Sequence, residues 1–157
     1  MESVGDREDT VLVRGLRPED LDPVIALDAR NAGRRRDEYF KLKLQQNLSE
    51  TGIKVSLAAE RDGCFCGFLL ARVYYGEFGT PEPVAVLDTL GVHPDFQGHG
   101  VGAALVRQLR TNLVGLGVTR LQTEVSWDDQ GLLHFFQSQH FRPAERFCLD
   151  LDLTEQH

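Results

Sequence analysis

The chain has 157 residues, which is enough for one domain with a sizeable core. Its hydrophobic fraction of 41% and its charged fraction of 26% are ordinary for a globular protein. The formal net charge of −7 argues against a nucleic-acid partner, because nucleic acids are bound by clustered basic surfaces. No stretch approaches the roughly 20 apolar residues of a membrane-spanning helix, so we expect no membrane partner.

The N-terminus and the cysteines indicate the cellular compartment. Residues 1–10 are mostly polar and acidic, which predicts a mobile tail rather than a signal peptide, with a single domain over residues 11–157. The three cysteines include no CxxC pair, so the sequence predicts neither a disulfide framework nor a metal site. We therefore expect a cytoplasmic protein.

The first half of the chain predicts a strand, two helices and a hairpin. Val11–Leu16 alternates weakly between apolar and other residues, as a strand does. A proline and two acids then begin a helix over residues 17–28, and apolar residues at helical spacing predict a second helix over Asp37–Leu48. Ile53–Arg61 and Cys64–Tyr75 flank an Asp-Gly dipeptide, which is typical of a tight turn, so they predict a hairpin.

The second half alternates strands with helices. Val84–Val92 predicts a strand that leads into a glycine-rich turn, and Gly100–Val114 predicts a helix with one apolar face. Thr119–Val125 predicts a strand, Asp129–Gln139 a helix and Arg146–Leu153 a final alternating strand. The order βααβββαβαβ predicts an α+β fold with a mixed sheet.

The stretch over residues 92–103, VHPDFQGHGVGA, carries the strongest functional signal. Gly98, Gly100 and Gly102 open the helix and leave successive backbone amides uncovered at its N-terminus. That end of a helix also carries about half a positive charge from the helix dipole. Because such a terminus binds anions, the sequence predicts a phosphate-bearing cofactor here.

These residues resemble the acetyl-CoA signature of the GNAT superfamily of N-acyltransferases, which is Gln/Arg-x-x-Gly-x-Gly/Ala preceded by Val-x-Pro. The signature stands here as VHP at 92–94 and QGHGVG at 97–102, and every fixed position matches. The resemblance extends from Val86 to Phe141. The N-terminal half of the chain agrees only in the order of its elements.

The resemblance implies a central mixed, mostly antiparallel, splayed sheet of about six or seven strands, flanked by about four helices. In that fold the strands Val84–Val92 and Thr119–Val125 part, and the pantetheine arm of acetyl-CoA enters the gap. The backbones of Leu90 and Val92 then pair with pantetheine amides, almost as an added strand. Gly91 is the expected place for a bulge that releases backbone groups from the ladder.

The resemblance also implies which residues bind acetyl-CoA as the cosubstrate. They lie at the end of the strand, in the glycine turn and on the later helix, and they are Leu90, Gly91, Val92, Gln97, Gly98, His99, Gly100, Val101, Gly102, Ala103, Asp129 and Phe136.

Asp88 is the first candidate for catalysis, because a carboxylate is unusual inside an apolar strand such as AVLDTLGV. By alternation its side chain shares a face with Val86, Leu90 and Val92. It is a candidate general base or an anchor for the substrate amine. The alternative is a structural carboxylate that bonds neighbouring backbone or pairs with an arginine such as Arg72.

Three further positions bear on the chemistry. Glu124, at the end of the opposing strand, is a second candidate for proton transfer. Many family members carry a tyrosine that protonates the leaving thiolate, whereas Phe136 stands at that position here and Asp129 replaces an asparagine. Phenylalanine donates no proton, but a thiolate leaves well unaided because a thiol has a pKa near ~8.5.

The sequence therefore predicts an N-acetyltransferase that moves an acetyl group from acetyl-CoA to a primary amine of a small-molecule or peptide acceptor, by direct attack in a ternary complex. Dimers are common among relatives, so a homodimer is one expected assembly. One rival is a non-catalytic acyl-CoA-binding sensor or interaction module, which Phe136 favours. The other is a dinucleotide oxidoreductase, because Gly98, Gly100 and Ala103 also fit the Rossmann fingerprint, although too few residues follow to complete that fold.

Overall fold

The computed structural model describes residues 10–49 and 54–155. Five strands and four α-helices lie within these ranges, and their order agrees with the sequence prediction up to the last helix. The elements are β1 Leu12–Gly15, α1 Leu21–Ala32, α2 Asp37–Asn47, β2 Leu57–Arg61, β3 Cys64–Tyr74, β4 Val84–Val92, α3 Val101–Gly115, β5 Leu121–Thr123 and α4 Gln130–Ser138. Apart from Thr10, the predicted tail lies outside the described residues, and so does Ile53, where we expected the second strand to begin.

The described residues form two compact units, one ending at Glu124 and the other beginning at Val125. The first unit contains the whole sheet, in the order β1-β2-β3-β4-β5. Its first four strands are antiparallel neighbours and β5 is parallel to β4, so the predicted mixed, mostly antiparallel sheet is confirmed. The predicted single domain over residues 11–157 stays a prediction.

The predicted hairpin between β2 and β3 turns at Asp62 and Gly63. Their φ angles are 53° and 77°, which is the left-handed region that a two-residue hairpin turn of type I′ requires. Arg61 consequently pairs with Cys64 across the turn. The local sequence thus determines the register of this end of the sheet.

Helices cover both faces of the sheet in the first unit. On one face α1 and α2 enclose the core cluster that includes Phe40, Phe68 and Leu70. On the other face α3 packs closely on β3 at Gly67, where a Cβ would stand 2.8 Å from Val101 Cγ1. The glycine is therefore required by this close approach.

Two ion pairs connect α1 and the residue before it to neighbouring segments of the chain. The Arg14 guanidinium of β1 donates to both Asp20 oxygens at 2.7 and 2.8 Å. Arg36 donates to both Asp28 oxygens at 2.9 and 2.6 Å, and these bonds raise the pKa of Arg36. Since Asp20 and Asp28 are buried, each pair satisfies a carboxylate that would otherwise be unpaired inside the protein.

The second unit contains α4 and, after it, a segment without helix or strand. The predicted strand at Arg146–Leu153 is wrong for this structure, which assigns no strand to residues 125–155. Its alternate apolar residues are exposed, with Phe147 at 94%. A strand needs a neighbour to complete its ladder, and this unit offers none. The described sheet accordingly has five strands rather than the expected six or seven.

Candidate active site

The last residues of β4 present a backbone edge that no strand of the described residues covers. The His93 amide donates to the Cys66 carbonyl at 2.8 Å, so the ladder with β3 is hydrogen-bonded at His93 and, by alternation, at Gly91. The backbone groups of Leu90 and Val92 therefore point to the opposite edge. On that edge β5 pairs with residues 85–87, and beyond Leu87 no strand within residues 10–49 and 54–155 pairs with β4, which we call its open edge.

A bulge lies at Asp88, not at the expected Gly91. Leu70 pairs with Thr89 and Ala71 pairs with Leu87, which leaves Asp88 as the extra residue on β4. Asp88 is exposed as a residue although its side chain is only 21% exposed, so its backbone carries most of the exposure. The bulge thus frees the backbone where β4 and β5 cease to pair.

The bulge also corrects the predicted alternation along β4. Val86 is the partner of Arg72 and Leu90 is the partner of Leu69, and these two β3 residues are three positions apart. Residues an odd number apart on a strand face opposite sides. Val86 and Leu90 therefore lie on different faces of the sheet, contrary to the expectation that both share one with Asp88.

Gly91 has a packing reason for being glycine. A Cβ at this position would stand 2.5 Å from Phe68 Cε1 and 3.1 Å from Leu27 Cδ2. Its backbone belongs to the regular ladder opposite Phe68. The residue thus allows α1 and the Phe68 ring to approach β4 closely, and its backbone is not part of the open edge.

The glycine turn follows β4 directly and ends at the start of α3. A short helical turn over Pro94–Phe96 reverses the chain, and Gly98 and Gly100 then have φ angles of 80° and 79°. Nothing lies within 4 Å of a Cβ built on either glycine. Both are therefore explained by backbone conformation, which L-residues adopt at a cost, and not by lack of space.

The N-terminus of α3 has free amides. The first helical hydrogen bond of α3 runs from the Ala104 amide to the Gly100 carbonyl at 2.9 Å. The amides of Val101, Gly102 and Ala103 precede it and have no acceptor within the helix. Together with the dipole of this 15-residue helix, they form a site suited to an anion.

Two side chains hold the strand end against this turn. The Val92 carbonyl accepts from Asn31 Nδ2 at 3.0 Å and from Gln97 Nε2 at 3.4 Å. Gln97 belongs to the sequence signature, whereas Asn31 comes from α1 and nothing in its local sequence pointed to this role. His99, between the two glycines, is exposed, and its amide donates to the Phe96 carbonyl at 3.3 Å.

Asp88 is paired with a lysine that the sequence analysis missed. Lys43 Nζ, from α2, lies 3.6 Å from Asp88 Oδ2, and the two side chains are 23% and 21% exposed. The arginine that we considered, Arg72, lies instead with its guanidinium 5.4 Å from the Tyr74 ring centroid. Lys43 and Asp88 are far apart in sequence, so no local pattern could predict the pair.

The remaining candidates are Glu124, in the first unit, and Asp129 and Phe136, in the second unit. Glu124 is exposed and follows the last residue of β5. In the second unit, Asp129 caps α4 by accepting from the Leu132 amide at 3.0 Å. Phe136 is buried there, with its ring 5.0 Å from that of Phe141.

Two kinds of feature are not found in the part of the chain that the structure describes. No group of three or more His, Cys, Asp or Glu side chains is placed to hold a metal ion. None of the helices over the described ranges is both long and apolar enough to cross a bilayer.

The fold is similar to several solved structures, some of which are named as acetyltransferases. An aminoglycoside N-acetyltransferase, AAC(6')-Iy, in complex with CoA matches with a TM-score of 0.78 and 19% identity, over 96% of this chain and 99% of that one. A ribosomal-protein-alanine N-acetyltransferase from Brucella melitensis biovar Abortus 2308 matches with a TM-score of 0.73 and 20% identity, over 92% and 99%. A transcriptional regulator from Bacillus halodurans C-125 matches with a TM-score of 0.76 and 16% identity, over 92% and 100%. At these identities the likeness establishes the fold.

A family model adds the relationship in sequence. The model described as the acetyltransferase (GNAT) family matches residues 22–141, which include the open edge of β4 and the glycine turn. The chain belongs to the GNAT acetyltransferase family, as its sequence signature led us to expect. Membership supports acetyl transfer as the general class of reaction.

Proposed function

We propose that the protein transfers an acetyl group from acetyl-CoA to a primary amine, by direct attack of the amine on the thioester in a ternary complex. The observation that carries this proposal is the juxtaposition of two features at the end of β4. One is the open backbone edge at Leu90 and Val92, and the other is the amide-rich N-terminus of α3. The first suits the amides of pantetheine and the second suits a diphosphate.

The reaction needs few protein groups beyond alignment. Holding two reactants in the correct geometry supplies roughly 7–11 kcal/mol of the barrier. A lysine-type amine has a free pKa near ~10.4, so its proton must be accepted, and we assign this role to the Asp88 carboxylate. Glu124 is the second candidate. Since a thiolate leaves readily, the proposal does not require an acid at Phe136.

The acceptor that we propose is a cationic amine of a small molecule or a peptide. Asp88 already holds one ammonium group, that of Lys43, at 3.6 Å. Structural neighbours named for aminoglycosides and for a ribosomal-protein alanine also act on amines. The Lys43 ammonium therefore occupies a place suited to the charged form of a substrate amine.

A second function, an acyl-CoA-binding sensor without turnover, is favoured by one observation. Phe136 takes the place of the tyrosine that protonates the thiolate in many relatives, and its ring is buried among other phenylalanines. A hydroxyl-free, buried ring donates no proton. The sensor shares the cofactor site with the enzyme and differs from it only in turnover.

Mass spectrometry with a mixed library of primary amines tests both functions. The protein is incubated with acetyl-CoA and the library, and acetyl-CoA binding is measured in parallel by calorimetry. We expect acetylation of at least one amine that depends on the protein. Binding without transfer to any amine would support the sensor, and the absence of specific binding would refute both functions.

A further inference from the structure

Lys43 is an amine held next to the candidate catalytic carboxylate. Its Nζ lies 3.6 Å from Asp88 Oδ2 and 5.8 Å from the centre of the Tyr39 ring. This distance to Asp88 is that of a loose ion pair and is longer than a hydrogen bond. About three quarters of each of the two charged side chains is sheltered from solvent. The amine is thus in place beside a proton acceptor but is not locked there.

The position of this amine along β4 matters for its reactivity. Asp88 is the bulged residue at which β4 and β5 cease to pair, and the open backbone edge at Leu90 and Val92 begins just beyond it. With pantetheine along that edge and the diphosphate at α3, the thioester end of acetyl-CoA reaches toward Asp88. In this arrangement the bulge, whose Asp88 carboxylate Lys43 Nζ contacts, is the part of β4 nearest to the thioester.

The other lysines of the chain are placed differently. The sequence contains only three, Lys41, Lys43 and Lys54. Lys41 lies two residues away on the same helix, is 56% exposed and pairs with Glu38 at 3.4 Å. Lys54 is exposed as well. Lys43 is therefore the one lysine that the structure brings to the bulge, and Lys41 is a natural internal control.

We propose that the protein acetylates its own Lys43; the proposal rests on the acetyl transfer proposed above. The Lys43 ammonium passes one proton to the Asp88 carboxylate, which releases it to solvent. Nζ then forms a bond to the thioester carbonyl carbon as the carbon–sulfur bond of acetyl-CoA breaks. The leaving thiolate takes the second proton from nitrogen, so the products are an acetylated lysine, CoA and one released proton.

The modification changes the charge at the bulge. Acetyl-lysine is neutral, so it no longer pairs with Asp88. The carboxylate is then available to the ammonium group of an external acceptor. Self-acetylation would thus convert a site closed by an internal amine into one open to a substrate.

The test is an incubation of the full chain with acetyl-CoA in the absence of any acceptor. Intact mass and peptide mapping follow acetylation at each lysine over time. We expect the gain of one acetyl group, located at Lys43, at a rate that does not change when the protein is diluted. The rate at Lys43 should exceed that at Lys41 by ~100-fold, the lower part of the range for an assisted proton transfer.

Two variants sharpen the test. Asp88→Asn keeps the size of the side chain but not its charge, and should slow acetylation of Lys43 by ~100-fold. Asp37→Asn is the matched control, because Asp37 is a carboxylate on the same helix as Lys43 and pairs with Arg35. It should leave the rate at Lys43 unchanged. Circular dichroism on both variants checks that they are folded.

Three results would overturn the inference: no acetyl group at Lys43, equal rates at Lys43 and Lys41, or an unchanged rate in Asp88→Asn. The amine library, run in parallel, separates this failure from failure of the proposed function. Transfer to a library amine with Lys43 unmodified refutes only self-acetylation. Absence of both reactions refutes the two proposals together.

Discussion

Gly100 and Gly117 lie at opposite ends of α3 and form a matched pair of residues. Both have positive φ, at 79° and 78°, and both are exposed with open space around a Cβ. A glutamate at either position therefore meets the same backbone strain, of order 1–2 kcal/mol. Only at position 100 does its carboxylate stand at the amide-rich end of the helix, where it repels a diphosphate and competes for the same amides.

Gly100→Glu should therefore weaken acetyl-CoA binding by at least ~100-fold, which corresponds to about 2.8 kcal/mol. Gly117→Glu should keep the wild-type affinity within about threefold, a difference below 1 kcal/mol. Isothermal titration calorimetry measures both dissociation constants, and a thermal melt confirms that both variants are folded. Equal affinities in the two folded variants would show that acetyl-CoA does not bind at the N-terminus of α3.

Asp88 and Glu124 are the two carboxylates proposed for proton transfer. Asp88→Asn should lower kcat for an external amine by ~100-fold, within the range of general base catalysis, with the affinity for acetyl-CoA unchanged. Glu124→Gln should have a much smaller effect, since Glu124 is exposed beyond the end of β5. Steady-state kinetics over a range of pH separates the two. Full activity of Asp88→Asn at every pH would exclude it as the base.

What the sequence can reveal about a residue depends on how local the cause is. Asp88 could be singled out because a carboxylate within AVLDTLGV breaks an apolar pattern that is visible in the chain itself. Its partner could not, because Lys43 reaches it only after α2 has packed against the sheet. The role of Asn31 could not be predicted for the same reason, since its hydrogen bond to the Val92 carbonyl depends on the placement of α1.

At the scale of elements, features with a local cause could likewise be predicted from the sequence, whereas the pairing of a strand with a distant neighbour could not. The Asp-Gly turn determines the register of β2 with β3 by local backbone preference, so it could be predicted. The bulge at Asp88 depends on how β4 aligns with β3, so the expectation that it lies at Gly91, which accompanied the family resemblance, was wrong. Arg146–Leu153 alternates like a strand, but alternation cannot supply the neighbouring strand that its unit lacks.

The ion pair between Arg14 and Asp20, where β1 leads into α1, should make the stability of the fold depend on pH. Asp20 accepts from the Arg14 guanidinium and from the Arg17 amide, at 2.7 and 2.8 Å to its Oδ2. Burial alone raises the pKa of this carboxyl, but the bonds from Arg14 and Arg17 outweigh it and leave the pKa below its usual value. A depressed carboxyl pKa stabilises the fold at pH values above the unfolded pKa, and the contribution is lost as the pH falls through the folded value.

Asp20→Asn should therefore lower the free energy of unfolding by roughly 2 kcal/mol at neutral pH, as expected for a charged hydrogen bond in a sheltered position. The deficit should shrink below pH ~4, where the wild-type carboxyl begins to be protonated in the unfolded chain. Asp37→Asn is the control, because the Arg35–Asp37 pair is exposed and should contribute little. Urea denaturation at several pH values measures both variants. A deficit for Asp20→Asn that is the same at pH 3 and pH 7 would contradict the assigned pKa.

At the scale of the whole molecule, the order of elements along the chain was more informative than composition. The succession from a strand through two helices and a meander to a glycine-led helix could be read from periodicity and turn residues. The family match over residues 22–141 covers this succession from α1 onward. The pairing of β1 with β2 and of β4 with β5 follows from contacts between distant segments, which no window of the sequence contains.

Binding of acetyl-CoA should stabilise the whole fold, because a ligand that binds only the native state shifts the unfolding equilibrium by mass action. At a concentration ~100-fold above its dissociation constant, the free energy of unfolding should rise by about 2.7 kcal/mol. For a chain of 157 residues this corresponds to a rise in Tm of roughly 5–10 °C. Differential scanning fluorimetry measures the shift.

Two controls make the thermal shift specific to the site. NADH also carries a diphosphate but lacks pantetheine, so it should produce a much smaller shift if the open edge of β4 contributes to binding. Gly100→Glu should lose the shift with acetyl-CoA, whereas Gly117→Glu should retain it, since only the former changes the N-terminus of α3. An equal shift with NADH would indicate that the glycine turn binds dinucleotides in general. No shift with acetyl-CoA would show that the turn does not bind this cofactor.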